Sequence, residues 1–216
     1  SNGQSQKMST GEIDEVLAAY SEQSLAGAYL EVKTHRGHET LMVHLADRCL
    51  CYDAAASVAM GAPVWYTLTS SAISFERYRA KHHVWAYGAW TVGDTSSAQL
   101  GVLDRAIATH YGSRVRWEFT TPIVYNEGRG LLFHELELVG LFGVSGVGDV
   151  PRVSTCYSVD GVAWSQPKTI TIGQIGNRSK RARWLNQGNM SKFRGQRFNG
   201  DSASPISVSR LEARVE

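Results

Sequence analysis

Residues 37–53, GHETLMVHLADRCLCYD, carry a complete β-hairpin within one short stretch. Thr40 to Leu45 is β-branched or bulky and apolar at nearly every position, Ala46-Asp47-Arg48 is a polar break, and Cys49 to Tyr52 resumes the run up to Asp53. A two-stranded hairpin is marginal in water because it cannot bury its own faces, so this unit demands others like it. They recur: Val84-Trp85-Ala86-Tyr87, then Gly88, then Trp90-Thr91-Val92-Gly93-Asp94, and later Val153 to Trp164. The chain reads as a series of hairpins, and the fold class expected is all-β, mainly antiparallel, with one N-terminal helix.

That helix is predicted over residues 10–23. Ser9-Thr10-Gly11-Glu12 has the capping-box spacing, and Ile13, Val16, Leu17 and Tyr20 follow at helical intervals as a narrow apolar stripe. After Gly27 the period changes to two. Strands are predicted at 28–34, 64–68, 85–91 and 98–104, with Asp94-Thr95-Ser96-Ser97 as a turn cluster. Residues 54–63, small and irregular, have the composition of a loop. From Ser113 onward seven strands are predicted, at 115–124, 131–141, 153–157, 168–172, 181–185, 193–198 and 206–215, and the glycine-rich 140–149 as a flexible loop. Seven short strands with turn signals between them suit a β-sandwich. The expected division is 1–27 as a helical N-terminal segment, 28–112 as a hairpin region and 113–216 as a sandwich-like domain.

With 43% hydrophobic residues over 216 positions the chain can bury a substantial core. No run of about 18 apolar residues is present, which excludes a transmembrane helix, and no membrane partner is expected. The N-terminal SNGQSQK has no apolar signal core, and Ser1-Asn2-Gly3 reads as an expression scar ahead of a fragment. Cys49 and Cys51 share one strand face and Cys156 stands apart, a pattern of reduced structural thiols. The net charge of +2 is too small to imply a nucleic-acid partner for the whole chain, yet residues 168–200 carry eight Lys or Arg and no acid.

The seven histidines, of which His35, His38 and His44 lie closest, do not reach recognised metal-ligand spacing and read as surface or strand-end residues. Glu135 and Glu137 alternate on one strand as a solvated face, not as the paired carboxylates of a glycosidase. Neither a Ser/His/Asp order, a P-loop nor a dinucleotide fingerprint is present, so no catalytic residue, metal or cofactor is expected. The most specific local motif is Ser158 to Trp164, SVDGVAW: Asp160-Gly161 supplies the backbone freedom of a tight turn, Ser158 a hydroxyl for it, and Trp164 an aromatic cover. It is similar to the Asp-box turn of sialidases, one residue shorter. A candidate partner- or DNA-facing basic surface is formed by Arg178, Lys180, Arg181, Arg183, Lys192, Arg194 and Arg197, interleaved with Trp184 and Phe193. Its alternatives are phosphate contact, an ordinary solvated strand face, on which arginines are common, and docking on an acidic neighbour; between the two partners the small net charge favours docking.

The order of these motifs resembles the packaged-DNA stabilisation proteins, or tail accessory factors, of short-tailed phages. The matching residues are Met8-Ser9-Thr10 with Ile13-Asp14 and Tyr20; His38 to Leu45 leading to Tyr52-Asp53-Ala54-Ala55-Ala56-Ser57; Pro63-Val64-Trp65; Gly93-Asp94; Tyr111-Gly112; Phe119-Thr120-Thr121-Pro122; Ser158 to Trp164; and Arg183-Trp184. The resemblance implies the C-terminal half of a longer protein, with propeller-like blades of about forty residues from Ala28 to Asp104 and a sandwich after them. It also implies a non-enzymatic virion component, made in the bacterial cytoplasm. Such a protein forms a homo-oligomeric ring, hexameric by resemblance, and closes the portal channel so that packaged DNA stays in the head. Its partners would be portal and adaptor, tail needle and tailspikes, with possible non-specific DNA contact. The alternative from the residues alone is a carbohydrate-binding or glycosidase-like β protein, for which six Trp and nine Tyr supply stacking faces.

Overall fold

The computed structural model describes residues 7–144, 146 and 148–216. The expected scar at the N-terminus, and Ser145 and Val147 of the glycine-rich loop, lie outside the described residues. The chain divides into two compact units after Leu103, and every strand pairing in them is antiparallel.

The first unit runs α1 (Gly11–Ala18), α2 (Glu22–Ala26), β1 (Tyr29–His35), β2 (His38–His44), β3 (Cys49–Asp53), α3 (Ala54–Met60), β4 (Trp65–Leu68), β5 (Ala80–Ala86), β6 (Ala89–Asp94) and β7 (Leu100–Val102). β1–β4 form a four-stranded meander and β5–β7 a three-stranded one. Arg36-Gly37 joins β1 to β2 and Tyr87-Gly88 joins β5 to β6. Each loop has positive φ at both residues, the two-residue geometry whose twist matches the strands it connects. The opening hairpin closes with Leu45 N–H on the Arg48 carbonyl at 2.9 Å, and pairs Thr40 with Asp53 through His44 with Cys49. Alternation then sorts side chains by face. Met42, Cys49 and Cys51 pack with Tyr78, Ala80 and Val92, while Leu45 and Leu50 on the other face take Ile13, flanked by Val16, Leu17 and Tyr20.

Two local expectations change. The single helix over 10–23 is two helices, because Ser21 accepts from Ser24 N–H at 3.2 Å and starts a second one after α1 has ended at Ala19. Residues 54–63 are not a loop: seven of them form α3. Asp53, the last residue of β3, caps it by accepting from Ala56 N–H at 2.9 Å, and Gly61 at φ +67° ends it. Ser57 ties the helix down, donating to the Asp53 carbonyl at 2.6 Å and accepting from Val64 N–H at 2.8 Å. Three consecutive alanines were the signal, since alanine is the best helix former once a cap is present.

The second unit contains β8 (Thr109–His110), β9 (Ser113–Arg114), β10 (Trp117–Thr120), β11 (Val124–Tyr125), β12 (Leu131–Leu141), β13 (Arg152–Ser158), β14 (Lys168–Thr171), β15 (Ala182–Leu185), β16 (Asn189–Met190), β17 (Phe193–Gly200) and β18 (Ser207–Val215). One sheet has the order β10-β17-β13-β14, with β11 also on β17. In the other, β12 is flanked by β15 and β18 and meets β16 near its start. Phe133, Leu136, Leu138 and Trp184 of this second sheet meet Val153 and Phe198 of the first in one buried core, which is the sandwich. The strand predicted over 115–124 is interrupted: β10 and β11 both pair with β17, but Pro122 between them has no N–H for the ladder.

Candidate functional site

The SVDGVAW stretch leaves β13 and folds on its own hydrogen bonds. Ser158 Oγ accepts from Asp160 N–H at 3.4 Å and Gly161 N–H at 2.8 Å, and donates to Asp160 Oδ1 at 2.9 Å. That carboxylate oxygen also accepts from Val162 and Ala163 N–H, both at 2.8 Å, and these bonds hold the Asp160 carboxyl below its ordinary pKa. Ser158 Oγ and Asp160 Oδ1 spend their bonds on the turn, which makes it an Asx-type structural device. Gly161 sits at φ +77° with open space where a Cβ would stand. Gly161→Val therefore meets backbone strain alone, and an urea-denaturation series should show a loss of about 1–2 kcal/mol. An unchanged midpoint would refute the positive-φ requirement.

Trp164 ends the turn beneath a cation: the Arg197 guanidinium stacks 3.6 Å from its ring centroid and reaches Glu118 at 3.3 Å. The motif and one end of the basic segment thus converge. The rest of that segment is not one basic surface. β15 lies against β12 with Arg183 opposite Glu137 and Leu185 opposite Glu135, so the two glutamates line up with the arginines. Arg181 donates to the Glu137 carboxylate through two nitrogens, one at 2.7 Å, and Arg183 lies 3.4 Å from Glu135. On the other side of β12, β18 adds Arg210, paired with Glu212 at 2.5 Å. Cross-strand register converts the expected cationic stripe into a face of alternating charge, with exposed pairs of small individual worth.

Arg194 departs further from the expectation, being 1% exposed. On β17 it faces inward between the Tyr157 and Phe133 rings, 4.0 and 4.4 Å from their centroids. Its guanidinium donates to Gln196 Oε1 at 3.0 and 2.9 Å and to the Gln187 carbonyl at 2.8 Å. Gln196 passes the chain on to Thr155 at 2.6 Å. Burial brings the pKa of Arg194 down to about 10. It holds the sandwich together from inside and is removed from the partner-facing set. Arg178, Lys180 and Lys192 stay exposed and enter no ion pair among the described residues.

A polar cluster that sequence reasoning missed lies in the first unit. Glu31 of β1 accepts from His44 Nε2 of β2 at 2.6 Å, and from His83 of β5 through Nδ1 at 2.9 Å and the backbone N–H at 3.0 Å. The three side chains are at most 8% exposed, so His44 and His83 are not surface histidines. Burial pushes the Glu31 carboxyl up, but the bonds from His83 and His44 prevail and hold it below its ordinary value. Burial, helped by the Lys33 and His44 charges, outweighs Glu31 and pulls His83 down, whereas burial of His44 is overcome by Cys49 and Glu31, which raise it. All three cysteines are buried free thiols. The signal was alternation: Glu31 shares the inward-facing parity of Tyr29 and Lys33 on β1, and His44 that of Thr40 and Met42 on β2.

Comparison with known proteins places both units. Residues 1–108 match the family model described as bacteriophage P22 Gp10, beta-propeller, and residues 116–216 match the one described as bacteriophage P22 Gp10, beta-sandwich. The "Tail hub protein gp10" of Salmonella phage P22 is 25% identical over 215 residues, covering 100% of this chain and 44% of that protein. This chain therefore spans less than half the length of the curated relative it matches.

Proposed function

This chain belongs to the bacteriophage P22 Gp10 family, and from that membership we propose that it is a structural component of a phage tail hub, working in the virion and not as a catalyst. The observation that carries the reading is collinearity: propeller-type and sandwich-type parts match in the same order, and the relative aligns along the whole chain. In this role the chain joins a ring of identical subunits beneath the portal and its adaptor, helps to close the exit channel on packaged DNA, and gives purchase to needle and spikes. A rigid β scaffold with its polar groups spent on turns and cross-strand pairs suits a plug that resists pressure, and the thiol–imidazole–carboxylate cluster of Cys49, His44 and Glu31 is buried. Of the aromatic faces on which the carbohydrate alternative relied, Trp164 is covered by Arg197 and Trp184 is 3% exposed, whereas Trp85, Tyr87 and Tyr125 remain exposed.

Contact with DNA and docking on an acidic subunit are distinguished by Arg178, Lys180 and Lys192, the members of the basic segment left without an ion pair among the described residues. Docking is the reading we adopt. Three free cations can release few counterions, so DNA affinity would be weak, with a log–log salt slope no steeper than about −3. The triple variant Arg178→Glu/Lys180→Glu/Lys192→Glu should fold normally, leave weak DNA binding almost unchanged, and fail to enter tails assembled in vitro onto DNA-filled heads. Tight, steeply salt-dependent DNA binding that the variant loses while still assembling would reverse the assignment. Wild-type chain that leaves DNA leakage from such heads unaltered would remove the plug role altogether.

A further inference from the structure

The second unit has a cleft of about 460 Å³ whose lining includes Arg105, His110, Trp117, Phe119, Ile206 and Val208. That volume lies within the roughly 300–1,000 Å³ usual for ligand sites. Its walls are mainly apolar and partly open: Ile107 is 59% exposed, Phe119 37% and Val208 36%. Its charged lining residues, Arg105 and Arg116, are both cationic, and no Asp or Glu lines it. Arg116 is offset by Glu118 at 2.5 Å, but Arg105 is exposed and makes no ion pair among the described residues. Trp117 supplies an aromatic wall, its Nε1 edge being buried against Gly200.

We propose that this cleft binds a short peptide segment of another protein, one bulky apolar side chain flanked by Asp or Glu. The apolar walls take the side chain and Arg105 takes a carboxylate at the rim. A sugar fits less well, because the serine hydroxyls in the lining are already committed: Ser202 donates to the Ser204 carbonyl at 2.9 Å and Ser204 to the Asp149 carboxylate. Nucleic acid fits less well too. It asks for a track of cations and open aromatic faces, whereas Trp117 stacks on Phe119 at 6.0 Å and 15°, and Phe119 stacks on Phe198 at 5.2 Å. β10, which carries Trp117 and Phe119, is also the edge strand of its sheet, so a peptide can run beside it. The site is inferred from the cleft alone and does not depend on the tail role proposed above.

The test uses purified full chain and fluorescein-labelled hexapeptides with a central Phe, Leu or Trp flanked by Glu, Gln or Lys, read by anisotropy. At least one Glu-flanked peptide should bind, its Gln counterpart about two- to fivefold more weakly, which is the scale of one exposed charge contact. Arg105→Glu, an exposed substitution that leaves the fold alone, should abolish the preference for Glu. The proposal is overturned if no Glu-flanked peptide binds, if Glu and Gln peptides bind alike, if Arg105→Glu changes nothing, or if a thymidine oligonucleotide displaces the peptide completely.

Discussion

Arg194→Ala is expected to destabilise the second unit by about 4 kcal/mol, within the roughly 3–5 kcal/mol of removing one member of a buried charged network. The guanidinium is the largest fully buried side chain in the protein's described core, and its removal leaves a gap between the Phe133 and Tyr157 rings. It also strands Gln196 Oε1 and the Gln187 carbonyl, both of which accept from it at 2.8–3.0 Å. Arg194→Met separates these causes. Methionine refills most of the space and carries no charge to desolvate, so it should cost about 2 kcal/mol, the part owed to the stranded acceptors. Denaturant unfolding followed by tryptophan fluorescence suits the measurement, since Trp184 is buried in the same core. If both variants unfolded within 1 kcal/mol of the wild type, Arg194 would not be the internal tie described here.

Glu31→Gln has the second-largest expected effect, a loss of about 3 kcal/mol near pH 6 that fades on either side. Glu31 bonds three donors from β2 and β5, and glutamine can accept from them only by turning an amide N–H toward one imidazole. The pH profile follows from the directions of the shifts. Glu31 is lowered, so its contribution is present above the ordinary carboxyl range and is lost as the pH falls through its folded value, where wild type and variant should converge. His44 is raised, so its ion pair contributes fully below about pH 6.5 and is lost as the pH rises through its folded value. His83 is lowered, which costs stability on acidification below about pH 6.5, and the cost is larger in the variant because the Glu31 charge that offsets part of the lowering is gone, which adds to the gap. Stability measured from pH 3.5 to 8.5 should therefore give a gap with a maximum between about pH 5 and 7. A gap that stayed flat across that range would show that the carboxylate charge is not what holds the cluster.

Much of the fold was readable locally. β12 occupies the residues predicted for it, 131–141, because its alternation is long and its flanks are glycine-rich. The hairpins around 37–53 and 84–94 were readable for the same reason, as was the self-contained turn from Ser158 to Trp164. α3 was misread because an aspartate that closes a strand also caps a helix, and composition weighed more than the cap. The split of residues 115–124 into β10 and β11 turned on Pro122 lying where a ladder bond would fall.

Taken by itself, the sequence determined what each residue could read from its near neighbours: strand parity, turn chemistry, the all-β class and the motif order shared with the Gp10 family. Only the tertiary structure decided partners. Glu137 and Arg181 are 44 residues apart and meet through the register of β12 with β15, while Glu31 and His83 are 52 apart and meet where β5 of one sheet packs on β1 of another. Arg194 has the same parity as its buried neighbours Gln196 and Phe198, but whether an inward arginine faces a core or a solvent-filled edge depends on what the opposite sheet supplies. Here that was Phe133, whose ring completes the enclosure. Periodicity reports which way a side chain points. Packing between distant strands determines its neighbours, and therefore whether a charge is a docking group or a structural one.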